Sequence, residues 1–216
     1  MNIQLSIEKN SHRLCFLSME IPIFPLNGAV LFPGTNMPLN IFEKRYLEMV
    51  DYALANKRYI GMIQSDNKNK LFKIGCLGKI VSFSETNDGR YLISLSGSSC
   101  FKINKELDKK HKFRMISANI LTYKPDIKNK LSEDMRSKLI NNYQNYINIK
   151  NINLDLSEID KIDIDQLIKF IAMVSPFKDI EKQTLLETKN ITDFYNKLLS
   201  IIELEIYETG EQKSIN

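Results

Sequence analysis

The spacing of apolar residues changes near Pro125, and this change constrains the fold more than any other feature of the sequence. Before Pro125, apolar and polar residues alternate with a period of about two, as in half-buried β-strands. After it, four apolar residues recur at the spacing of one helix face: Leu131, Met135, Leu139 and Tyr143. The sequence therefore predicts an α+β protein in which a β-rich part precedes a helical bundle.

The two parts also differ in charge. Residues 1–125 carry 18 basic and 10 acidic side chains, net +8, whereas residues 126–216 carry 12 and 16, net −4. The basic residues are mostly Lys in a chain also rich in Ile and Asn, a composition typical of AT-rich bacterial genomes, so the charge alone does not indicate a polyanion ligand. We predict a loose extension over residues 1–18, a β-rich subdomain over 19–125 and a helical subdomain over 126–216.

Cysteine and histidine are too sparse for the common metal and redox sites. Cys15, Cys76 and Cys100 lie far apart without a Cys-x-x-Cys pair, and the two histidines are His12 and His111. Neither a disulfide framework nor a zinc site is predicted. No apolar run approaches the ~20 residues that span a bilayer, and the first residues do not form a signal peptide. We expect a cytoplasmic protein without cofactor, metal or membrane contact.

Prolines interrupt the first apolar runs of the β-rich part, at residues 21–26, 29–34 and 37–42. Because proline removes a backbone donor, short or edge strands that bend at corners are predicted there. Asn40 then opens an Asn-x-x-Glu start signal for an amphipathic helix over residues 43–56.

Further strands are predicted after this helix, at residues 59–63, 78–84, 90–96, 101–104 and 113–123. Asn87-Asp88-Gly89 separates the second from the third, and Asp-Gly tolerates the positive φ of a tight turn, so these two form a hairpin. Together the strands predict a twisted sheet or small β-barrel wrapped around one helix.

The helical part is predicted to contain four helices. Their positions are marked by the apolar residues from Leu131 to Tyr146, and by residues 164–174, 179–187 and 193–207. Ser132 is the predicted cap of the first helix and Thr192 of the last. Five carboxylates lie close together before and at the start of the second helix: Asp155, Glu158, Asp160, Asp163 and Asp165. Their spacing is not that of a calcium-binding loop, so they are interpreted as helix-capping and solvated residues.

Several motifs occur in an order that is typical of one known family. They begin with Ile-Pro-Ile-Phe-Pro-Leu at 21–26, Val-Leu-Phe-Pro-Gly at 30–34 and Pro-Leu-Asn-Ile-Phe-Glu-Lys-Arg-Tyr at 38–46, and continue with Gly61-Met62, Gly75-Cys76, Gly78-Lys79-Ile80, Asp88-Gly89-Arg90-Tyr91, Gly97, Pro176-Phe177 and Glu-Lys-Gln-Thr-Leu-Leu-Glu at 181–187. Over residues 19–207 the chain resembles the N-terminal, substrate-binding domain of Lon proteases.

The resemblance implies a β-rich subdomain related to the PUA barrel, followed by helices. In Lon proteases this module helps to capture unfolded substrates and to assemble the ring. No Walker loop and no Gly-Pro-Ser-Ala-Gly-like peptidase loop occurs in the sequence. The resemblance therefore implies a stand-alone, non-catalytic module without the ATPase and peptidase domains, which binds proteins or unfolded peptides, for example as an adaptor in protein quality control.

Two positions depart from the family pattern. Many relatives carry Arg where this chain has Cys100, before the Phe of the strand after Gly97. The last helix of relatives usually shows Arg after an acidic residue, where this chain has Phe194. Both departures bear on which partner the module binds.

The candidate protein-binding residues are Phe32, Pro33, Phe42, Arg45 and Tyr46, with the partner held in an apolar groove between the β-rich and helical parts. Arg45 either contacts carboxylates of a partner or, in the favoured interpretation, braces the Pro-rich strands beside a capping Glu43. Phe32-Pro33-Gly34 is either an exposed apolar loop or a buried corner.

The alternative function is RNA binding by a PUA-like module, motivated by the basic first part. The candidate phosphate contacts are Lys68, Lys70, Lys73, Lys109, Lys110 and Lys112. Because neutralised phosphates release counterions, this alternative predicts an affinity that falls steeply with salt.

Overall fold

The computed structural model describes residues 18–66, 68–108, 110–121, 131–154 and 159–214. The strands are β1 (Ser18–Pro25), β2 (Asn36–Ile41), β3 (Tyr59–Ile63), β4 (Ile74–Glu85), β5 (Tyr91–Glu106) and β6 (Arg114–Ile120). The helices are α1 (Lys44–Ala55), α2 (Glu133–Lys150), α3 (Ile164–Val174), α4 (Asp179–Leu186) and α5 (Ile191–Ser214), with a short 3-10 turn at Ile159–Lys161. The predicted extension lies outside the described residues, apart from Ser18.

The strands form one sheet in the order β2-β5-β4-β3-β1-β6, and β6 also pairs with β5. Five strands therefore pair in a cycle, β5-β4-β3-β1-β6, in which the last strand pairs again with the first. The sixth strand, β2, lies outside this cycle and pairs with β5. All pairs are antiparallel except β1 with β3, where Ile23 lies opposite Gly61. This sheet followed by helices confirms the predicted α+β class.

Side chains from these five strands fill the space that they enclose. The buried members of this cluster are Ile21, Ile23, Ile63, Leu77, Phe101, Ile116 and Ala118. The ring of Phe101 lies against Gly75, where an added Cβ would come within 2.5 Å of both the ring and the carbonyl oxygen of Met62. Glycine is therefore required at position 75. We call this cluster the strand-lined interior.

The predicted helix over 43–56 is confirmed as α1, but its predicted start signal is wrong. Asn40 lies within β2, opposite Leu92 of β5, so its side chain is not positioned to cap a helix. Glu43 is the N-cap residue and makes no side-chain cap bond. Its carboxylate instead accepts a hydrogen bond from the Arg45 guanidinium, at 3.0 Å.

The predicted strand at 59–63 and the predicted β4–β5 hairpin are confirmed, with Gly89 at φ +77° in the turn. The segments predicted as separate strands at 90–96 and 101–104 are one continuous strand, β5. Register shifts in its pairing with β4 bend the pair, which lets the first part of β5 pair with β2 and the last part with β6.

The four predicted helices are confirmed. Of the two predicted N-cap residues, the one for α2 is confirmed and the one for α5 is wrong. Ser132 caps α2, since its hydroxyl accepts from the Met135 amide at 3.3 Å. The last helix begins at Ile191, and Asn190 rather than Thr192 caps it, because the Asn190 side-chain oxygen accepts from the Asp193 amide at 2.8 Å.

The β-rich half, Ser18 to Leu121, and the helical half, residues 131–214, share a second and larger apolar cluster that crosses between them. Buried polar side chains also tie the halves together. Lys182 donates to the carbonyls of Gly28 and Met173, at 2.9 and 3.3 Å. Gln183 donates to the Ile74 carbonyl at 3.0 Å, and Gln64 donates to the Asp179 carbonyl at 3.0 Å. We call this contact region the junction.

Candidate functional site

An apolar cleft of about 120 Å³ opens at the junction. Phe32, Pro33 and Cys100 of the β-rich half form one wall. The helical half contributes the other wall from α3, from the end of α4 and from the start of α5: Lys169, Leu185, Leu186, Thr188, Lys189, Asn190, Ile191 and Phe194. We call this space the junction cleft. A groove between the two halves was predicted from the sequence.

An aromatic pair forms part of the apolar floor of the junction cleft. Phe32 and Phe194 are 1% and 5% exposed, and their ring centroids lie 5.2 Å apart in an edge-to-face arrangement. The loop that carries Phe32 is fixed by Thr35, whose hydroxyl donates to the Phe32 carbonyl at 2.8 Å. Gly34 takes the positive φ, +82°, that the turn requires. The aromatic floor is therefore held in place by backbone geometry.

The thiol of Cys100 is part of the cleft wall, and its burial makes it a slow nucleophile. Burial raises its pKa to about 12, although the charge of Lys169 acts in the opposite direction. The sulfur lies 3.7 Å from the carbonyl oxygen of Leu186 and donates weakly to it. At neutral pH this thiol is protonated, and thiolate chemistry requires the deprotonated form.

Two lysines give the rim of the cleft a positive charge. Lys169 projects from α3, with its Nζ beside Gly34, 3.6 Å from where a Cβ on that glycine would lie. Lys189 follows α4 and is exposed. Within the described part of the chain, neither ammonium group has a hydrogen bond or an ion pair with a carboxylate.

The predicted protein-binding residues divide between two places. Phe32 and Pro33 line the junction cleft, with Phe32 in the buried position that the corner interpretation predicts. Phe42, Arg45 and Tyr46 lie at the start of α1, and none of them lines the cleft.

At the start of α1, Phe42 is 64% exposed. Arg45 stacks over the Tyr46 ring at 4.5 Å and pairs with Glu43 at 2.8 Å. Tyr46 in turn packs edge-on against Phe24 of β1, with centroids 4.4 Å apart. The described contacts of Arg45 are therefore within its own segment, and Tyr46 rather than Arg45 contacts the Pro-rich strand β1. Glu43 serves Arg45 as an ion-pair partner and not as a side-chain cap, and the bracing role of Arg45 stays a prediction.

The predicted phosphate contacts lie on two connections. Lys68, Lys70 and Lys73 belong to the β3–β4 connection, and Lys110 and Lys112 to the β5–β6 connection. The ammonium group of Lys112 pairs with Glu48 of α1. Lys109 lies outside the described residues.

A shallow depression of about 460 Å³ beside the β3–β4 connection is lined by Lys70, Lys73 and Lys102 together with Asp66 and Glu187. The mixed charge of this surface gives it no strong preference for anions. That these lysines contact RNA stays a prediction.

The described residues include no group of three or more histidines, cysteines or carboxylates that could hold a metal ion. His111 stacks on Phe113, with centroids 4.8 Å apart, and lies against Tyr52. In the acidic segment, Asp163 caps α3 by accepting from the Asp165 amide at 3.2 Å, as interpreted from the sequence. Asp155 and Glu158 lie outside the described residues. No described helix is both long enough and apolar enough to cross a membrane.

Comparison with known proteins identifies the family. The sequence profile described as the ATP-dependent protease La (LON) substrate-binding domain matches residues 20–203. The chain belongs to the Lon substrate-binding domain family. The resemblance drawn from the sequence motifs is thereby confirmed.

Lon proteases are among the relatives by sequence. The Lon protease of Buchnera aphidicola subsp. Baizongia pistaciae is 27% identical over 198 residues, which cover 87% of this chain and 25% of that protein. The Lon protease of Vibrio parahaemolyticus is 26% identical over 200 residues, with the same coverage of 87% and 25%. The chain therefore spans about a quarter of the length of these relatives.

Solved Lon N-terminal domains share the fold. The Lon N-terminal domain protein of Xanthomonas campestris superposes with a TM-score of 0.61 at 19% identity, covering 84% of this chain and 98% of that one. The N-terminal domain of the Mycobacterium avium complex Lon protease also gives 0.61, at 12% identity, covering 86% and 98%.

The junction cleft contains the two positions at which a departure from the family pattern is expected from the sequence. Cys100 and Phe194 come from β5 and α5, and both line it. Sequence reasoning did not single out Lys169 or Lys189 as site residues. One signal was available for Lys169, which is the only charged residue of α3 after Asp165 in an otherwise largely apolar helix.

Proposed function

We propose that this chain is a substrate-recognition module that binds unfolded polypeptide segments in the junction cleft and catalyses no reaction itself. The observation that carries the proposal is the apolar cleft between the halves of a Lon substrate-binding domain. An unfolded chain exposes the leucine and aromatic side chains that such a cleft accepts, whereas a folded protein buries most of them.

The size of the cleft sets the strength of binding. It has room for one apolar side chain, and burying one such side chain contributes about 1.5–3 kcal/mol. Part of that gain is offset by the ordering of the bound segment. We therefore propose weak, sequence-tolerant capture, in which tighter binding requires contacts elsewhere on the surface. This behaviour suits an adaptor that holds many different unfolded clients.

Phe42 is proposed as such an additional contact. It is exposed at the end of β2, beside the β4–β5 hairpin, where Val81 and Leu92 are also exposed. A client segment long enough to reach both places gains affinity from the second contact without any change in the cleft. Arg45 and Tyr46 support this surface through their own contact.

A binding assay tests the proposal. Fluorescein-labelled α-lactalbumin, reduced and carboxymethylated so that it stays unfolded, is titrated with the protein and followed by anisotropy, with the native form as control. We expect binding of the unfolded form only. No binding of the unfolded form, or equal binding of the native form, would contradict the proposal.

Three matched variants locate the surface. Ile191→Ser shortens the cleft wall and is expected to weaken binding about tenfold. Ile180→Ser makes the same change at an exposed position of α4 outside the cleft and is expected to leave binding unchanged. Phe42→Ser measures the contribution of the contact at the end of β2.

A further inference from the structure

The junction cleft combines an apolar floor with two cationic side chains at its rim. Its floor is formed by Phe32, Leu186 and Phe194, which offer no charged group to a ligand. Lys169 and Lys189 enter the lining from two different elements, α3 and the connection after α4. An apolar side chain inserted between them therefore brings its neighbours in sequence close to positive charge.

The carboxylates around the cleft are hydrogen-bonded to other side chains rather than paired with these lysines. Glu187 accepts from the Gln183 side chain at 2.8 Å, and Asp193 accepts from the Asn190 side chain at 2.7 Å. Neither carboxylate forms an ion pair with Lys169 or Lys189 within the described residues. The charge of Lys169 acts on the cleft, since it lowers the pKa of the Cys100 thiol against the larger effect of burial and the smaller, opposite effect of Glu187.

We infer that the junction cleft prefers unfolded segments in which a bulky apolar side chain is next to an acidic side chain. The apolar side chain occupies the cleft against the paired rings of Phe32 and Phe194, and Lys169 and Lys189 bind the neighbouring carboxylate. The inference rests on the proposed function and names the class of client that the same cleft selects. Segments with a basic residue beside the apolar one are disfavoured, because like charges then meet at the rim.

The expected preference is modest. Lys189 is exposed and Lys169 is partly exposed, so each contact with a carboxylate is partly screened and contributes no more than a few-fold in affinity. Together they are expected to favour an acidic over an uncharged neighbour by about fivefold to tenfold at low salt. The preference should shrink as salt is added, since exposed charges are screened within about 10 Å at 0.1 M.

The test uses fluorescein-labelled nine-residue peptides with Gly and Ser around a central pair, amidated at the C-terminus so that the side chain is the only added carboxylate. The central pairs are Leu-Asp, Leu-Asn, Leu-Lys and Ala-Asp. We expect affinity to fall from Leu-Asp to Leu-Asn to Leu-Lys, and Ala-Asp to bind more weakly than Leu-Asp because it cannot fill the cleft. Equal binding of Leu-Asp and Leu-Asn would overturn the inference.

Two double variants assign the preference to these lysines. Lys169→Gln with Lys189→Gln is expected to abolish the difference between Leu-Asp and Leu-Asn while keeping the difference between Leu-Asn and an Ala-Asn peptide. Lys57→Gln with Lys79→Gln removes the same net charge from exposed positions outside the cleft and is expected to keep the preference. Loss of the preference in this control would show a bulk charge effect and overturn the inference.

Ile191→Glu supplies a carboxylate from the chain itself at the cleft wall. An acidic residue at the first position of α5 is favourable for the helix, so this variant is expected to fold, which its urea unfolding midpoint checks. It is expected to bind Leu-Asp no better than Leu-Asn. If the Leu-Asp preference survives in the folded variant, the inference fails.

The inference and the proposed function fail in different ways. Unfolded α-lactalbumin that does not bind at all contradicts the proposed function. Unfolded α-lactalbumin that binds, together with peptides that show no acidic preference, contradicts the inference alone.

Discussion

The strand-lined interior and the junction are both apolar, but different parts of the chain enclose them. Each of the five strands that line the interior pairs with two others among them, and the Phe101 ring lies so close to Gly75 that an added Cβ would clash. The junction is held by apolar packing and by side-chain hydrogen bonds from Lys182, Gln183 and Gln64. Part of its surface stays open as the cleft.

This difference assigns different roles to the two regions. Packed side chains fill the strand-lined interior, so a ligand cannot enter it without displacing them, and this region serves stability. Side-chain bonds can adjust to a bound segment at lower cost, so the junction is where binding can occur without unfolding.

Gly75→Ala tests the interior. Its Cβ would lie 2.5 Å from the Met62 carbonyl oxygen and from the Phe101 ring, so backbone and ring must both move. We expect a loss of about 3 kcal/mol or more in the free energy of unfolding, measured by urea denaturation.

Gly89→Ala is the control for Gly75→Ala. Gly89 has nothing within 4 Å of an added Cβ, but its φ is +77°. Backbone strain alone is expected to cost about 1–2 kcal/mol. An equal or larger loss at Gly89 would contradict the close packing inferred at Gly75.

Lys182→Met tests the junction. Lys182 is 4% exposed and donates to the carbonyls of Gly28 and Met173. Methionine keeps the volume but leaves both carbonyls without this donor, and we expect a loss of about 2 kcal/mol. A neutral or stabilising result would show that the hydrogen bonds of Lys182 do not help to hold the junction.

The stabilising effect of Lys182 is expected to depend on pH. Burial lowers its pKa below the usual 10.5, so the folded protein releases this proton at lower pH than the unfolded chain does. Between the two pKa values the unfolded state binds more protons, and stability therefore rises with pH. The difference in unfolding free energy between wild type and Lys182→Met should grow as pH rises toward 10.5. A difference that shrinks over that window would contradict the buried, charged state of Lys182.

Thiol reactivity distinguishes the open part of the junction from its closed part. Burial raises the pKa of both Cys76 and Cys100, so both should react slowly with iodoacetamide at neutral pH in a Cys15→Ser background. Cys100 lines the cleft and Cys76 does not, so Cys100 should be modified first, as followed by mass spectrometry. A bound Leu-Asp peptide should protect Cys100 only. Faster modification of Cys76 would place the opening elsewhere.

Arg45→Ala should have the smallest effect. Its ion pair with Glu43 and its contact with the Tyr46 ring are on the surface, where such interactions contribute under about 1 kcal/mol each. We expect a small change in the urea midpoint and unchanged affinity for unfolded α-lactalbumin. A loss of affinity above about tenfold would instead support a direct contact between Arg45 and the client.

The elements with strong periodicity could be predicted from the sequence. The bounds of β3 and α3 agree with the prediction at both ends, because apolar spacing and the flanking turn residues mark them locally. The sequence did not show that β5 is one continuous strand. Its irregular pairing with β4 lets its first part pair with β2 and its last part with β6, and that irregularity depends on the strands beside it. Asn190 and Thr192 are both good caps, and only the backbone geometry decides between them.

The site was predicted less completely than the fold. Its β-rich wall, Phe32 and Pro33, belongs to a recognisable motif. Its cationic rim depends on packing between positions more than 130 residues apart, such as Phe32 and Lys169, which no local pattern records. A groove between the halves was foreseeable, whereas its charge was not.

The pairing of β1 with both β3 and β6 affects how the chain folds as it is synthesised. Ser18 pairs with Asn119, so the interior cannot close until about a hundred further residues have left the ribosome. At 5–20 residues per second this takes roughly 5–20 s. The β3 partner emerges well before β6 and covers one edge of β1, while the other edge and its apolar face stay open. During that interval the nascent chain exposes the same kind of surface that aggregates or recruits chaperones.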